Sequence, residues 1–115
     1  MISEKDKVNR IIKEFLTYFM GHQLTDISLH LKVDDNEMAL AFTVPCEAEP
    51  ADFKMLLKEL NVPREYELEE YYNGLLGAHH GSQHNYTLLG KALDEAKGTY
   101  VQGKLYLWVK RYNLA

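Results

Sequence analysis

Two runs of strict alternation, separated by three polar residues, constrain the fold of this chain more than any other feature. Ile27, Leu29, Leu31 and Val33 alternate with Ser28, His30 and Lys32, and after Asp34-Asp35-Asn36 the period resumes with Met38, Leu40, Phe42 and Val44. Successive side chains on a strand point to opposite faces, so each run reads as a strand with one apolar face. The short polar interval joins them into a β-hairpin. Asp34 and Asp35 suit its turn, because a short acidic side chain bonds to nearby backbone. Pro45, which has no amide hydrogen, is a natural end for the second strand.

The hairpin's apolar face is available to the helix that precedes it. From Ser3 to about Phe19 the apolar residues Val8, Ile11, Ile12, Phe15, Leu16 and Phe19 fall at helical spacing and form one stripe. Ser3 followed by Asp6 has the form of a capping box, and Gly21 is expected to end the helix in the left-handed conformation. Pro50 and Pro63 each stand where a helix would begin. Phe53, Leu56, Leu57 and Leu60 mark the first of these helices; Leu68, Tyr71, Tyr72 and Leu75 mark the second. The eight acids between Glu47 and Glu70, against Lys54, Lys58 and Arg64, read as a solvated helix face. Gly74 to Asn85 is irregular and reads as a loop. Asn85 is placed to cap a further helix with Leu88, Leu89, Ala92, Leu93 and Ala96 on its inner face, stopped by Gly98. The last run, from Gly103 to Arg111, is a strand that points Leu105, Leu107 and Val109 one way and Tyr106 and Trp108 the other. Thr99-Tyr100-Val101 offers it a short partner.

Together these elements predict an α+β fold, a two-layer α/β sandwich with a mixed or antiparallel sheet and helices on one face. The expected core is Ile11, Phe15, Leu29, Leu31, Leu40, Phe42, Leu56, Leu89, Leu93 and Leu107. At 115 residues the chain, 1–115, reads as a single domain. Seventeen acids against thirteen bases give a net charge of −4, which argues against a dedicated nucleic-acid partner. The lone cysteine, Cys46, excludes an internal disulfide and fits a reducing compartment. With no apolar run of membrane-spanning length and no signal-like start, a cytoplasmic location away from membranes is expected.

Chemistry-bearing patterns are sparse. His79, His80 and His84 are the candidate metal ligands, since clustered imidazoles bind zinc and other transition metals. Against them, neighbouring histidines diverge in any regular element, Gly81 breaks the helix that would align His80 with His84, and no cysteine pair or His-Glu-x-x-His pattern accompanies them. Cys46 sits beside Glu47, an acidic setting that raises a thiol pKa. Glu69-Glu70-Tyr71-Tyr72 places acids and aromatics together, an arrangement in which tyrosines ordinarily rest their rings on the core. There is no Gly-x-Ser-x-Gly elbow and no phosphate-binding glycine-rich loop. No catalytic residue and no cofactor are expected.

The order of helix, hairpin, helices and terminal strand resembles the histidine-kinase-type ATP-binding (GHKL) superfamily over Asn9 to Val33, Met38 to Val44 and Asn85 to Arg111. Glu14-Phe15-Leu16-Thr17-Tyr18-Phe19-Met20-Gly21-His22 looks like that family's first ATP-contacting helix, Glu-Leu-Leu-x-Asn-Ala-x-Lys-His. Glu14 and His22 match, and Tyr18 stands where the magnesium-binding asparagine belongs. The family's Asp-x-Gly-x-Gly would fall near Val44 to Glu49 and is absent; its later Gly-x-Gly-Leu, near Tyr86-Thr87-Leu88-Leu89, lacks its glycines. The resemblance implies an α/β sandwich built on a mixed sheet and without ATP chemistry.

Two functions stay open on these grounds. One is a non-catalytic regulatory or protein-interaction domain, with an unidentified protein or a second copy of the chain as its partner. It would use Tyr106, Trp108 and His30 on the sheet face away from the helices, because aromatic anchors supply much of interface energy. The alternative is a small-molecule or metal-binding protein, an enzyme among the options, with its site at the His79–His84 loop.

Overall fold

The computed structural model describes residues 3–62 and 86–112. The predicted helix after Pro63, the irregular run to Asn85 and the three loop histidines lie outside the described residues. Helix α1 (Glu4–Gly21) is followed by strands β1 (Ser28–Val33) and β2 (Glu37–Pro45), helix α2 (Phe53–Leu60), the single turn α3 (Thr87–Gly90), and strands β3 (Glu95–Val101) and β4 (Lys104–Tyr112). The four strands form one sheet in the order β1-β2-β4-β3, and every pairing is antiparallel. Helices cover one face, so the α+β two-layer sandwich holds.

Local chemistry explains the element ends. The Ser3 hydroxyl accepts the Asp6 amide at 3.1 Å and caps α1. Asp34 Oδ1 accepts the amides of Asn36 and Glu37 at 2.8 and 2.9 Å, which closes the β1–β2 turn. Those two bonds favour the ionised carboxyl and hold it below its ordinary pKa. The other end of α1 departs from expectation. Gly21 is the last helical residue, and the left-handed residue is Gln23, at φ 59°. The Gln23 amide donates to Met20 and the Leu24 amide to Phe19, the paired bonds of a Schellman ending. Pro50 likewise stands three residues ahead of α2 and accepts the Phe53 amide, so it opens the approach turn instead of the helix.

Between residues 86 and 98 the structure departs furthest from the expected helix. Helix there is confined to Thr87–Gly90, and Ala96 and Gly98 belong to β3. Leu89, Ala92 and Leu93 are buried as their spacing suggests, but Asp94 draws the chain into the sheet. Its amide donates to Lys110 and its carboxylate accepts the Tyr112 amide at 2.6 Å. Pairing with β4 overrides helical propensity. Gly98 does not stop a helix; it admits one from outside, since a Cβ at this position would stand 2.6 Å from the Phe53 ring of α2.

Phe15 and Phe19 of α1 meet Phe42 of β2 at 5.4 and 5.2 Å between ring centres. Ile11, Leu40, Leu56, Leu107 and the rest of the expected core are buried around them, except Leu29 and Leu31. These two are 40% and 42% exposed. They face the helix side, opposite Phe42 and Leu40, but the aromatic anchors of α1 land on β2 and Phe53 of α2 lands on β3. Edge strand β1 is left uncovered on this side.

At the far end of the sheet Arg111, 1% exposed, binds Glu4 through two nitrogens at 2.7 and 3.0 Å and the Ala92 carbonyl at 2.8 Å. One guanidinium thus joins β4, the start of α1 and the segment after α3.

Candidate functional site

Strand register assembles the outer face of the sheet from residues far apart in sequence. His30, Ala41, Trp108 and Lys97 form one cross-strand row, and Ser28, Thr43, Tyr106 and Thr99 form the next. The three residues singled out from sequence, His30, Tyr106 and Trp108, therefore share this face. Alanine and threonine on β2 stand low beside the two aromatic rings of β4. They leave a hollow of about 370 Å³ between Ala41, Thr43, Lys97, Thr99, Tyr106 and Trp108. The Lys97 and Lys110 ammonium groups stand 5.5 and 5.4 Å from the centre of the Trp108 ring, within range of its negative face.

Sequence reasoning found the aromatic pair but not its charge. Lys32, Lys97, Lys104 and Lys110 stand on this face against Glu37 and Glu95, a local excess of positive charge on a chain of net −4. Lys110 is paired with Glu37 at 3.3 Å, and that hydrogen bond raises its pKa. The signal was present as lysines spaced two apart from the aromatics on β4, which puts them on one face.

A second polar cluster lies on the helix side. Tyr18 donates to Asp52 Oδ1 at 2.9 Å, and His22 Nε2 is 3.2 Å from Asp52 Oδ2. With Thr17, Gly21 and Tyr86 these residues line a cleft of about 290 Å³. Burial, and then the bond to Asp52, push the Tyr18 hydroxyl above the ordinary phenol range; burial pushes Tyr86 up to about 12. Both phenols are neutral donors at physiological pH. Asp52 was not foreseen. It occupies the N-cap position of α2 yet makes no capping bond there, spending its carboxylate on Tyr18 and His22 instead.

Neither place holds an activated nucleophile. The Cys46 thiol pKa is raised, by burial and not by the neighbouring Glu47, and the Thr17 hydroxyl donates to the Lys13 carbonyl at 2.8 Å. Among the described residues no three His, Cys, Asp or Glu side chains converge to hold a metal ion, and His79, His80 and His84 lie outside them. No helix among the described residues is long and apolar enough to cross a membrane. No family model, curated protein or solved structure matches the chain.

Proposed function

We propose that this chain is a non-catalytic interaction domain that docks an acidic protein surface on the outer face of its sheet and binds no ATP. The observation that carries the reading is Trp108, set between two lysines on a sheet face that no described helix covers. Tryptophan offers a large contact area at small entropic cost, and such residues dominate interface energies. Lys97 and Lys104 form no ion pair with a carboxylate among the described residues, so they are available to steer an anionic surface towards the hollow.

What stands in the cleft supports the reading without ATP. Tyr18 occupies the position at which the GHKL resemblance requires a magnesium ligand, and its neutral phenol is committed to Asp52. Magnesium prefers anionic oxygens and water. After β2, Pro45, Cys46 and Glu47 replace the adenine-reading aspartate and its glycines, and no glycine of the phosphate-binding pattern precedes α3. ATP with magnesium should therefore bind no more tightly than about millimolar in calorimetry.

The test is capture of protein partners by the immobilised chain beside its Trp108→Ala and Lys97→Glu variants. A captured protein whose affinity falls at least about tenfold with Trp108→Ala, and which is released by salt, supports the reading. Unchanged binding by Trp108→Ala would contradict it. So would preferential displacement by a single-stranded oligonucleotide, which can use the same lysines and rings, or low-micromolar ATP binding.

A further inference from the structure

The two edges of the sheet are finished differently. On β3 the Asn61 side chain donates to the outward carbonyl of Ala96 at 3.1 Å, and α2 packs against the strand through Phe53. Among the described residues, strand β1 has neither protection. It carries no proline, its register with β2 runs without a bulge, and Leu29, Leu31 and Val33 are 40%, 42% and 52% exposed on the helix side. Lys32 is the one charge along this edge, and an edge so lightly protected is a template for pairing with another strand.

The flank of α1 above it is apolar too. Tyr18 turns one flank of the helix towards Asp52 and α2; at 100° per residue Ile12, Leu16 and Met20 lie on the opposite flank, on the β1 side. Ile12 and Leu16 are half-buried and Met20 is exposed. The result is an apolar corner, walled by α1 and floored by β1.

We infer that a second copy of this chain fills the corner, the two β1 strands pairing antiparallel about a two-fold axis to make one eight-stranded sheet. Spacing supports this occupant. Strands in a sheet lie about 4.8 Å apart, so the two β2 strands, and the α1 helices above them, would be about 14 Å apart. Helices in direct contact pack at about 8–10 Å. The gap takes one layer of side chains, and Leu29 and Leu31 of both copies supply it.

Charge selects the register. A two-fold pairing that keeps apolar residues on one face must centre on a single residue. Centred on His30, it sets Asp34 against Asp26 of the other copy; centred on Leu31, it sets Lys32 against His30. Centred on Leu29, and with pairing carried two residues ahead of β1, it sets Lys32 against Asp26 twice and Leu31 against Ile27 twice. Only the last places opposite charges across the pair. The exposed apolar groups it covers are few, Leu29, Leu31, Val33 and Met20, so the dimer is weak and reversible.

Sedimentation of the whole chain from about 1 μM to about 1 mM tests this, with Kd expected inside that range. The mean mass should rise from 13.3 kDa towards twice that value. Leu31→Lys, which puts a charge in the apolar layer at an exposed site, should weaken dimerisation at least about tenfold, with circular dichroism confirming the fold. Lys32→Asp should weaken it and the swap Asp26→Lys/Lys32→Asp should restore it. Trp108→Ala should leave it unchanged, so failure here is distinct from failure of the docking face. A monomer throughout, a dimer indifferent to Leu31→Lys, one lost with Trp108→Ala, or a charge swap without rescue would overturn the inference.

Discussion

Arg111 and Glu4 illustrate how much of this molecule rests on single side chains that no pattern marks. A guanidinium in the last strand and a carboxylate in the first helical turn look like two surface charges in sequence. They meet, the guanidinium buried and the carboxylate partly exposed, only because β4 ends beneath the start of α1. Removing Glu4 takes the carboxylate from a buried guanidinium that keeps its bond to the Ala92 carbonyl, so Glu4→Ala should cost about 1–3 kcal/mol in urea denaturation, above an ordinary surface substitution. The tyrosines of the cleft provide a second test. Tyr86 titrates near pH 10 when unfolded and near 12 when folded. A folded pKa above the unfolded one contributes stability that is complete below about pH 10 and lost as pH rises through the folded value. Tyr18 shifts in the same direction. Stability should therefore fall between about pH 10 and 12, and the Tyr86→Phe variant should lose less of it over that interval, read from denaturation midpoints.

Among the elements, period-2 and period-3.6 patterns were reliable wherever local preference and tertiary pairing agreed. The β1–β2 hairpin, the buried stripe of α1, the apolar residues of α2 and the two faces of β4 were all legible from spacing. They failed where a long-range partner decided the outcome. Leu89, Ala92 and Leu93 repeat at helical spacing, yet the bond from Asp94 to Tyr112 belongs to the sheet, and nothing local announces it. Gly98 was misread for the same reason, its purpose being set by a ring 45 residues earlier, Phe53. Gly98→Ala should push on that buried ring and cost about 1–3 kcal/mol. The α1 ending points the other way. Gln23 holds a left-handed backbone that glycine adopts without penalty, so Gln23→Gly should raise stability by up to about 1 kcal/mol. Thermal unfolding of the two variants should therefore move in opposite directions.

On the scale of the whole molecule, the described residues leave two sheet surfaces open for different reasons. The outer face is open because the described helices all pack on the other side, and its aromatic pair was legible from alternation alone. Its lysines emerged as a group only when the register brought four strands together. The helix-side corner over β1 was not legible, because alternation tells which residues share a face but not whether anything covers them. An eight-stranded dimer would run the two outer faces into one surface, with His30 near its centre. The proposed function rests on the outer face being exposed and cationic, and the chain's single tryptophan reports on both properties. Quenching of Trp108 fluorescence by iodide and by caesium is the most direct measurement. With Lys97 and Lys110 flanking the ring, iodide should quench strongly and caesium weakly, the difference shrinking with added salt. Blue-shifted emission that neither ion quenches would mean that the ring is covered, and would contradict docking at this face.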